Sequence, residues 1–471
     1  MAINITKDFS LAEAMTFVHS KQLARYNWFY YKEGYSPEIV QCALKHQSDR
    51  RDPAASRRGM SRPDASGHEH LQVAAATWMI QVAHKQLVHD QERSVVLDIP
   101  HSVTTRQIGS QQATWYPTKF GNELKKPGNI LDPFCGVGTT LFAAKELGVA
   151  SYGIDASELA VFVSKTKTQN YETQDIKEAL EFIATVFSER KKESVVRWDF
   201  ELFDVRSAFP KRNLNDILFL RECIEDKYAR RITQDSKHKS RDLLLLALLS
   251  ILPQCSLIIK DGGVLKIDKR KSAMHVKEAF RRKIKRMVKE LEQNPVNGPE
   301  PEVYLGDARK TGFKDNNIEM VVTSPPYLNN IDYTKVYGLE LSLLSLCKEY
   351  AEETRTRSVR SFITGNRKLE TGLPEEVGEV GERIPVIGTY FADMKEAIKE
   401  MFRILNHGSC AYVVVSNSVI HETHVMVDEI FAEMAERIGF SEVGIVVGAE
   451  RIADVKPTKV KTRESIVIMR K

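Results

Sequence analysis

Cysteine is scarce in this 471-residue chain, and the six present (Cys42, Cys135, Cys223, Cys255, Cys347 and Cys410) form no Cys-x-x-Cys pair. That pattern excludes a zinc ribbon and a dithiol redox centre, and it points to a reducing compartment. No metal is expected, because His421 and His424 lack the His-Glu-x-x-His spacing of a helix-borne site. Long apolar runs are missing too. The longest, Leu243 to Ile259, has 17 residues and is broken by Ser250, Pro253, Gln254 and Ser256. It suits a buried helix better than a membrane span. Lys7, Asp8 and Glu13 interrupt the first residues, so no secretory signal is read there and a cytoplasmic location is expected. Nor is there a strong charge of one sign: 68 basic against 63 acidic residues leave +5, too little by itself to require a nucleic-acid partner.

What is present is ordinary for a globular chain, with 42% apolar and 28% charged residues and length enough for an α/β domain with additions. Residues 1–46 read as a helical segment whose aromatic cluster, Tyr26, Trp28, Phe29, Tyr30 and Tyr31, suits a small core or docking face better than a base-stacking platform. Residues 47–70, rich in Arg, Asp, Pro, Ser and Gly, read as a mobile linker. From 71 to 170 come a helix (Leu71 to Val88), the segment Tyr116-Pro117-Thr118-Lys119-Phe120 and a βαβ unit. Residues 171–300 break the strand–helix alternation with four helical patterns and read as an inserted helical subdomain. Its end is basic, with 12 Lys or Arg against 5 Asp or Glu between Lys260 and Glu292. Alternation resumes over 301–471, so the whole predicts a Rossmann-like α/β fold with a seven-stranded, mostly parallel sheet.

Two strand ends carry the chemistry. The strand Asn129-Ile130-Leu131 ends in Asp132-Pro133-Phe134-Cys135-Gly136-Val137-Gly138-Thr139. Gly136 and Gly138 allow a sharp turn and a close backbone approach to a ligand. A third glycine is missing, and there is no Gly-Lys-Ser/Thr ending, so neither a dinucleotide fingerprint nor a phosphate-binding loop is complete. The carboxylates instead suit a ligand with an ammonium group and a ribose. Asp132 can take the ammonium, Asp155 at the next strand end the ribose hydroxyls, and Asp307 after the following strand an adenine amine. S-adenosyl-L-methionine has all three groups. Each Asp could equally be a helix cap; three at successive strand ends favour a site.

The second end is Ser324-Pro325-Pro326-Tyr327, after the apolar run Met320-Val321-Val322-Thr323. Adjacent prolines cannot continue a ladder, so the loop is stiff. The exocyclic amine of cytosine or adenine is a poor nucleophile because its lone pair is delocalised into the ring. Acceptors such as the Ser324 hydroxyl and the Pro325 carbonyl would hold the amine with that pair available, at little reorganisation. Tyr327 offers a stacking face. The target base must be extruded from a duplex, or lie in a single strand, to reach such a loop.

Asp-Pro-Phe-Cys-Gly-Val-Gly-Thr-Thr together with Thr-Ser-Pro-Pro-Tyr resembles the amino-group DNA methyltransferases, the N4-cytosine and N6-adenine family. The likeness covers about 105–170 and 300–471, including Tyr-Pro-Thr-Lys-Phe at 116–120 and Arg463 to Ile468 near the chain's end. It implies a class I methyltransferase fold and cofactor contacts from Phe120, Asp132, Pro133, Phe134, Gly136, Gly138, Thr139, Asp155 and Asp307. It also implies catalytic roles for Ser324, Pro325, Pro326 and Tyr327. Serine in the first catalytic position is typical of cytosine-N4 enzymes. The loop order, with the cofactor loop first, keeps adenine N6 open. The resemblance implies duplex DNA as partner and admits a cognate restriction endonuclease. Target reading falls to the insert, to 351–388 or to the N-terminal region, and the basic count favours the insert. An RNA guanine-N2 methyltransferase and a non-catalytic nucleic-acid-binding scaffold are the remaining alternatives. A cytosine-C5 enzyme is disfavoured, because no Pro-Cys nucleophile pair occurs and Cys135 reads as a packing residue.

Overall fold

The computed structural model describes residues 3–12, 14–15, 19–21, 23–29, 35–51, 128–188, 194, 196–229, 238–261, 263–329, 331–346, 350–361, 374–455 and 458–471. Phe120, the helix expected over Leu71 to Val88, and residues 52–70 of the expected linker lie outside these. The chain divides into two units, Met1–Ala43 with Pro127–Lys471, and Leu44–Lys126. The first unit carries the main sheet, the helical insert and both loops.

The apolar runs that precede the two loops become adjacent strands. In chain order the strands are β1 (Asn4–Lys7), β2 (Asn129–Asp132), β3 (Ala150–Asp155), β4 (Ile258–Asp261), β5 (Val264–Ile267), β6 (Glu302–Leu305) and β7 (Ile318–Thr323). They continue with β8 (Leu405–Ser416), β9 (Ser418–Ile420), β10 (Thr423–Val425), β11 (Glu442–Val455) and β12 (Thr458–Arg470). Eight of them form one sheet in the order β1-β11-β12-β8-β7-β2-β3-β6. Pairing is parallel except where β12 lies antiparallel between β11 and β8. Strand order reverses between β2 and β7, the switch point where open α/β sheets bind ligands beyond their carboxyl ends. Both sequence loops leave from that point.

The sheet is Rossmann-like and mostly parallel, as expected, but it has an eighth strand. β1 pairs in parallel with Gly444–Val447 of β11, where the sequence predicts a helix. It is a short edge strand, largely exposed, held by ladder bonds more than by buried side chains. Hence its apolar pattern is weak. Among the described residues of the N-terminal region there follow single 3-10 turns and the helix Glu38–Arg51, which runs into the stretch expected as linker.

The βαβ unit forms as expected. The helix Thr139–Glu146 closes at Gly148 (φ 70°), with Gly148 N bonding Lys145 O and Val149 N bonding Ala144 O. This is a Schellman stop, which needs the left-handed residue. The insert supplies the helices Thr173–Thr185, Lys211–Ala229, Lys239–Cys255 and Val276–Gln293. Leu243 to Leu249 are fully buried, in keeping with the buried-helix reading. Their core is continuous with Val137, Leu159 and Val163 on one side and with Tyr337, Leu339 and Leu341 on the other. Trp28 and Phe29 sit in the same cluster, so these N-terminal aromatics are core residues; Tyr30 and Tyr31 lie outside the described residues. Among the described residues no helix is long and apolar enough to cross a membrane.

Candidate active site

A buried polar cluster couples the two loops. Thr323 Oγ1, on the last residue of β7, donates to Asp132 Oδ1 at 2.6 Å, and Phe134 N donates to the same oxygen at 3.2 Å. Tyr35 OH reaches Asp132 Oδ2 at 3.4 Å and contacts Thr140 Oγ1, which donates to Val322 O at 3.3 Å. Asp132 is 2% exposed. Burial pushes its carboxyl up to about 6, against the lowering effect of its hydrogen bonds to Thr323, Thr140 and Phe134.

The glycine turn is held by Asp155. Its Oδ2 accepts from Gly136 N and its Oδ1 from Ser157 N, both at 2.9 Å. Burial raises this carboxyl to about 6 as well, partly offset by those backbone donors. Gly136 and Gly138 have φ 49° and 75°, in the left-handed region. At Gly138 a Cβ would also lie 3.0 Å from Ser164 Oγ and 3.2 Å from Ser164 Cα, so glycine is needed twice over. Cys135 is buried, and desolvation pushes its thiol well above the usual range. It is a packing residue, not a nucleophile.

A cavity opens beyond these strand ends. Its lining includes Pro133, Phe134, Gly136, Asp155, Asp307, Ser324, Pro325 and Pro326. The structure therefore brings both sequence loops and two of the three carboxylates to one space. Asp132, Gly138, Thr139 and Tyr327 are not in that lining. Asp132 lies behind the turn, bonded to Thr323. Tyr327 is 8% exposed, packed in the loop it terminates. Asp307 faces the cavity while accepting from Arg309 Nε and Nη2 at 2.9 and 2.7 Å. Arg309 also reaches Asp393 at 2.7 Å, and Asp393 accepts from Arg360 at 2.6 Å.

Ser324 departs from this pattern of satisfied groups. Its Oγ is buried and has no hydrogen-bond partner. Ser361 Oγ, in the same lining, is likewise buried and unpartnered. A buried hydroxyl without a partner costs about 1–3 kcal/mol unless a ligand completes it. Rigidity comes from below, where Tyr390 OH donates to Pro326 O at 3.0 Å.

Sequence reasoning missed the far wall. Tyr333, Thr334 and Tyr337, just downstream of the Pro-Pro loop, and Thr354, Arg357, Ser358 and Val359 also line the cavity. The arginines of the 351–388 stretch are mostly engaged internally. Arg355 pairs with Glu201 and Asp332, and Arg360 with Asp393; Arg367 and Lys368 lie outside the described residues. No local pattern announces these long-range pairs. Among the described residues, no group of three or more His, Cys, Asp or Glu could hold a metal ion.

Comparison with known proteins adds an independent line. A family profile described as DNA methylase, covering N6 and N4 enzymes, matches residues 19–191. The chain is 26% identical over 427 residues to the type II methyltransferase M.BsoBI of Geobacillus stearothermophilus, covering 75% of this chain and 81% of that protein. It is 24% identical over 381 residues to M.AvaI of Nostoc sp., also a type II methyltransferase, covering 70% and 76% respectively. Among solved structures, a SAM-dependent methyltransferase from Methanosarcina mazei aligns over 76% of this chain and 98% of its own, at 10% identity and a TM-score of 0.25.

Proposed function

From the premise that this chain belongs to the N6/N4 amino-methyltransferase family of DNA methylases, we propose that it is a type II DNA methyltransferase that methylates the exocyclic N4 amine of cytosine. The observation that supports this reading is the buried, unpartnered Oγ of Ser324, a residue that lines the same cavity as Asp155 and Asp307.

S-adenosyl-L-methionine is the cofactor, and when bound it supplies an electrophilic methyl group. The residues present fit it. The lining includes Asp155 and Asp307, whose carboxylates can accept from hydroxyl and amine donors, and Arg357, opposite in sign to the carboxylate of the cofactor. Asp155 would take the ribose hydroxyls and Asp307 the adenine amine, with Pro133, Phe134 and Gly136 forming the floor. Asp132 acts at one remove. Its bonds to Thr323 and Phe134 keep the two loops in register.

The chain's own contribution to the chemistry lies at the end of β7. Ser324 Oγ and the Pro325 carbonyl accept hydrogen bonds from the target amine and so turn its lone pair towards the cofactor. The Pro-Pro backbone and the Tyr390 bond hold those acceptors in place before the base arrives, so little reorganisation is needed at the moment of reaction. Serine in this position supports cytosine N4. The chain order, cofactor loop before catalytic loop, is the observation that favours adenine N6 as second reading.

The test is incubation with isotopically labelled S-adenosylmethionine and unmethylated duplex DNA of mixed sequence, followed by digestion to nucleosides and mass spectrometry. Labelled N4-methylcytosine is expected. N6-methyladenine would keep the mechanism and replace the base. Label confined to a parallel RNA digest would overturn the DNA reading.

A further inference from the structure

Within the insert, one short element turns an apolar and charged face outward, left uncovered by the described residues. β4 and β5 form a two-stranded antiparallel ribbon with Ile258 opposite Ile267, Ile259 opposite Lys266, Lys260 opposite Leu265 and Asp261 opposite Val264. Paired residues share a face and alternate along the strand. One face therefore carries Ile258, Lys260, Leu265 and Ile267. Ile258 and Leu265 are 4% and 7% exposed, and Lys260 pairs with the buried Glu340 at 3.2 Å. The other face carries Ile259, Asp261, Val264 and Lys266. Ile259 is 37% exposed and Val264 55%, and between them the side chains of Asp261 and Lys266 form an exposed ion pair.

The ribbon is fastened beside the catalytic loop. A Cβ on Gly263, at its tip, would lie 3.1 Å from Ile331, just past Tyr327 in the chain. Lys260 Nζ sits 4.2 Å from the ring centroid of Tyr337, a residue of the cavity wall. The chain beyond the ribbon is basic. Lys269 and Arg270 are exposed, and the helix Val276–Gln293 turns Val276, Phe280, Ile284, Met287 and Leu291 inward and leaves Lys277, Arg282, Lys285 and Lys289 exposed.

We propose that this ribbon is the element that reads duplex DNA next to the extruded base, lying in the major groove with Ile259, Asp261, Val264 and Lys266 towards the base edges. The proposal rests on the methyltransferase reading above and names the surface that selects the site. The major groove, about 12 Å wide, admits a two-stranded β-ribbon. Strands of four residues extend about 13 Å, the length of roughly four base-pair steps. Lys266 and Asp261 supply a donor and an acceptor for base edges, and the two aliphatic tips suit thymine methyl groups. The exposed lysines and arginines of the following helix complement phosphates, which position the duplex without reading it. A merely solvated helix face would explain those charges. It would not explain two exposed aliphatic side chains on a ribbon fastened to the catalytic loop.

The test uses the full chain carrying Ile259→Ser, Val264→Ser and Lys266→Ser together, all at exposed positions, with Ile452→Ser (70% exposed, on the β11–β12 hairpin) as control. Methylated positions are mapped on plasmid DNA, and kcat/KM for a duplex containing the preferred site is compared with cofactor affinity. The triple variant should lose about 10²-fold in kcat/KM on that duplex, or spread methylation to other sites, with cofactor affinity and Tm unchanged. The control should match the parent. An active parent with a triple variant of equal rate and identical site map would overturn the ribbon alone. A parent that neither binds nor methylates any duplex would overturn the methyltransferase reading and the ribbon with it.

Discussion

The loop after β2 and the loop after β7 leave neighbouring strands at the same sheet edge, yet they are finished differently. In the first, the polar groups answer one another: Asp155 takes the amides of Gly136 and Ser157, and Asp132 takes Thr323 and the Phe134 amide. In the second, Ser324 keeps a buried oxygen without a partner. A loop that holds its own shape can receive a ligand with its hydrogen bonds already committed to geometry. A loop with an unsatisfied acceptor reserves that bond for an incoming group. The contrast supports the proposed division, with cofactor binding at the first loop and chemistry at the second.

The sharpest way to break the contrast is Ser324→Ala. Turnover should fall about 10²-fold or more while cofactor affinity stays near that of the parent. Equal activity in the variant would remove Ser324 from the mechanism, and loss of cofactor binding would erase the distinction between the loops. On the other side, Gly138→Ala forces a Cβ into Ser164 at φ 75°. It should cost about 2 kcal/mol, read as a lower Tm together with weaker cofactor binding. Asp155→Asn should raise the cofactor Kd about tenfold by isothermal calorimetry, with turnover at saturating cofactor largely kept.

A smaller effect concerns pH. Asp132 and Asp155 are raised from the usual 3.8 to about 6. The folded protein thus binds protons between about 4 and 6 that the unfolded chain does not, so the contribution of these groups to stability rises as pH falls through 6. Cofactor affinity should fall over the same window as Asp155 is protonated and accepts less strongly from the ribose hydroxyls. The Tm of Asp155→Asn minus that of the parent should accordingly shrink from pH 7 to pH 5. A difference that grows on acidification would contradict the assigned direction.

Much of the site is legible in the sequence because its signals are local. An apolar run halted by Pro-Pro, or by an aspartate and two glycines, must become a strand ending in a stiff or tight loop, whatever surrounds it. The ribbon is also legible in principle. Ile258 to Asp261 and Val264 to Ile267 flank a Gly-Gly pair, the usual mark of a two-residue hairpin. The leucine-rich run before it masks its first strand. β1 escapes a pattern-based reading because an edge strand held by ladder bonds needs little hydrophobic alternation.

By itself, then, the sequence determined that two loops of this chemistry exist, that each ends a buried strand, and that a long helical insertion separates them. Tertiary structure alone decided that β2 and β7 are neighbours. The chain from Asp132, the last residue of β2, to Ile318, the first of β7, carries β3, the whole insertion and β6, so no local pattern could join the two strands. Structure also decided that Asp132 turns inward to Thr323 while Asp155 and Asp307 face the cavity, and that Asp307 is shared with Arg309. Which carboxylate meets a ligand and which is taken up by a strand-to-strand bond depends on what lies across the sheet edge. That is a matter of three-dimensional proximity, and the linear order of residues does not carry it.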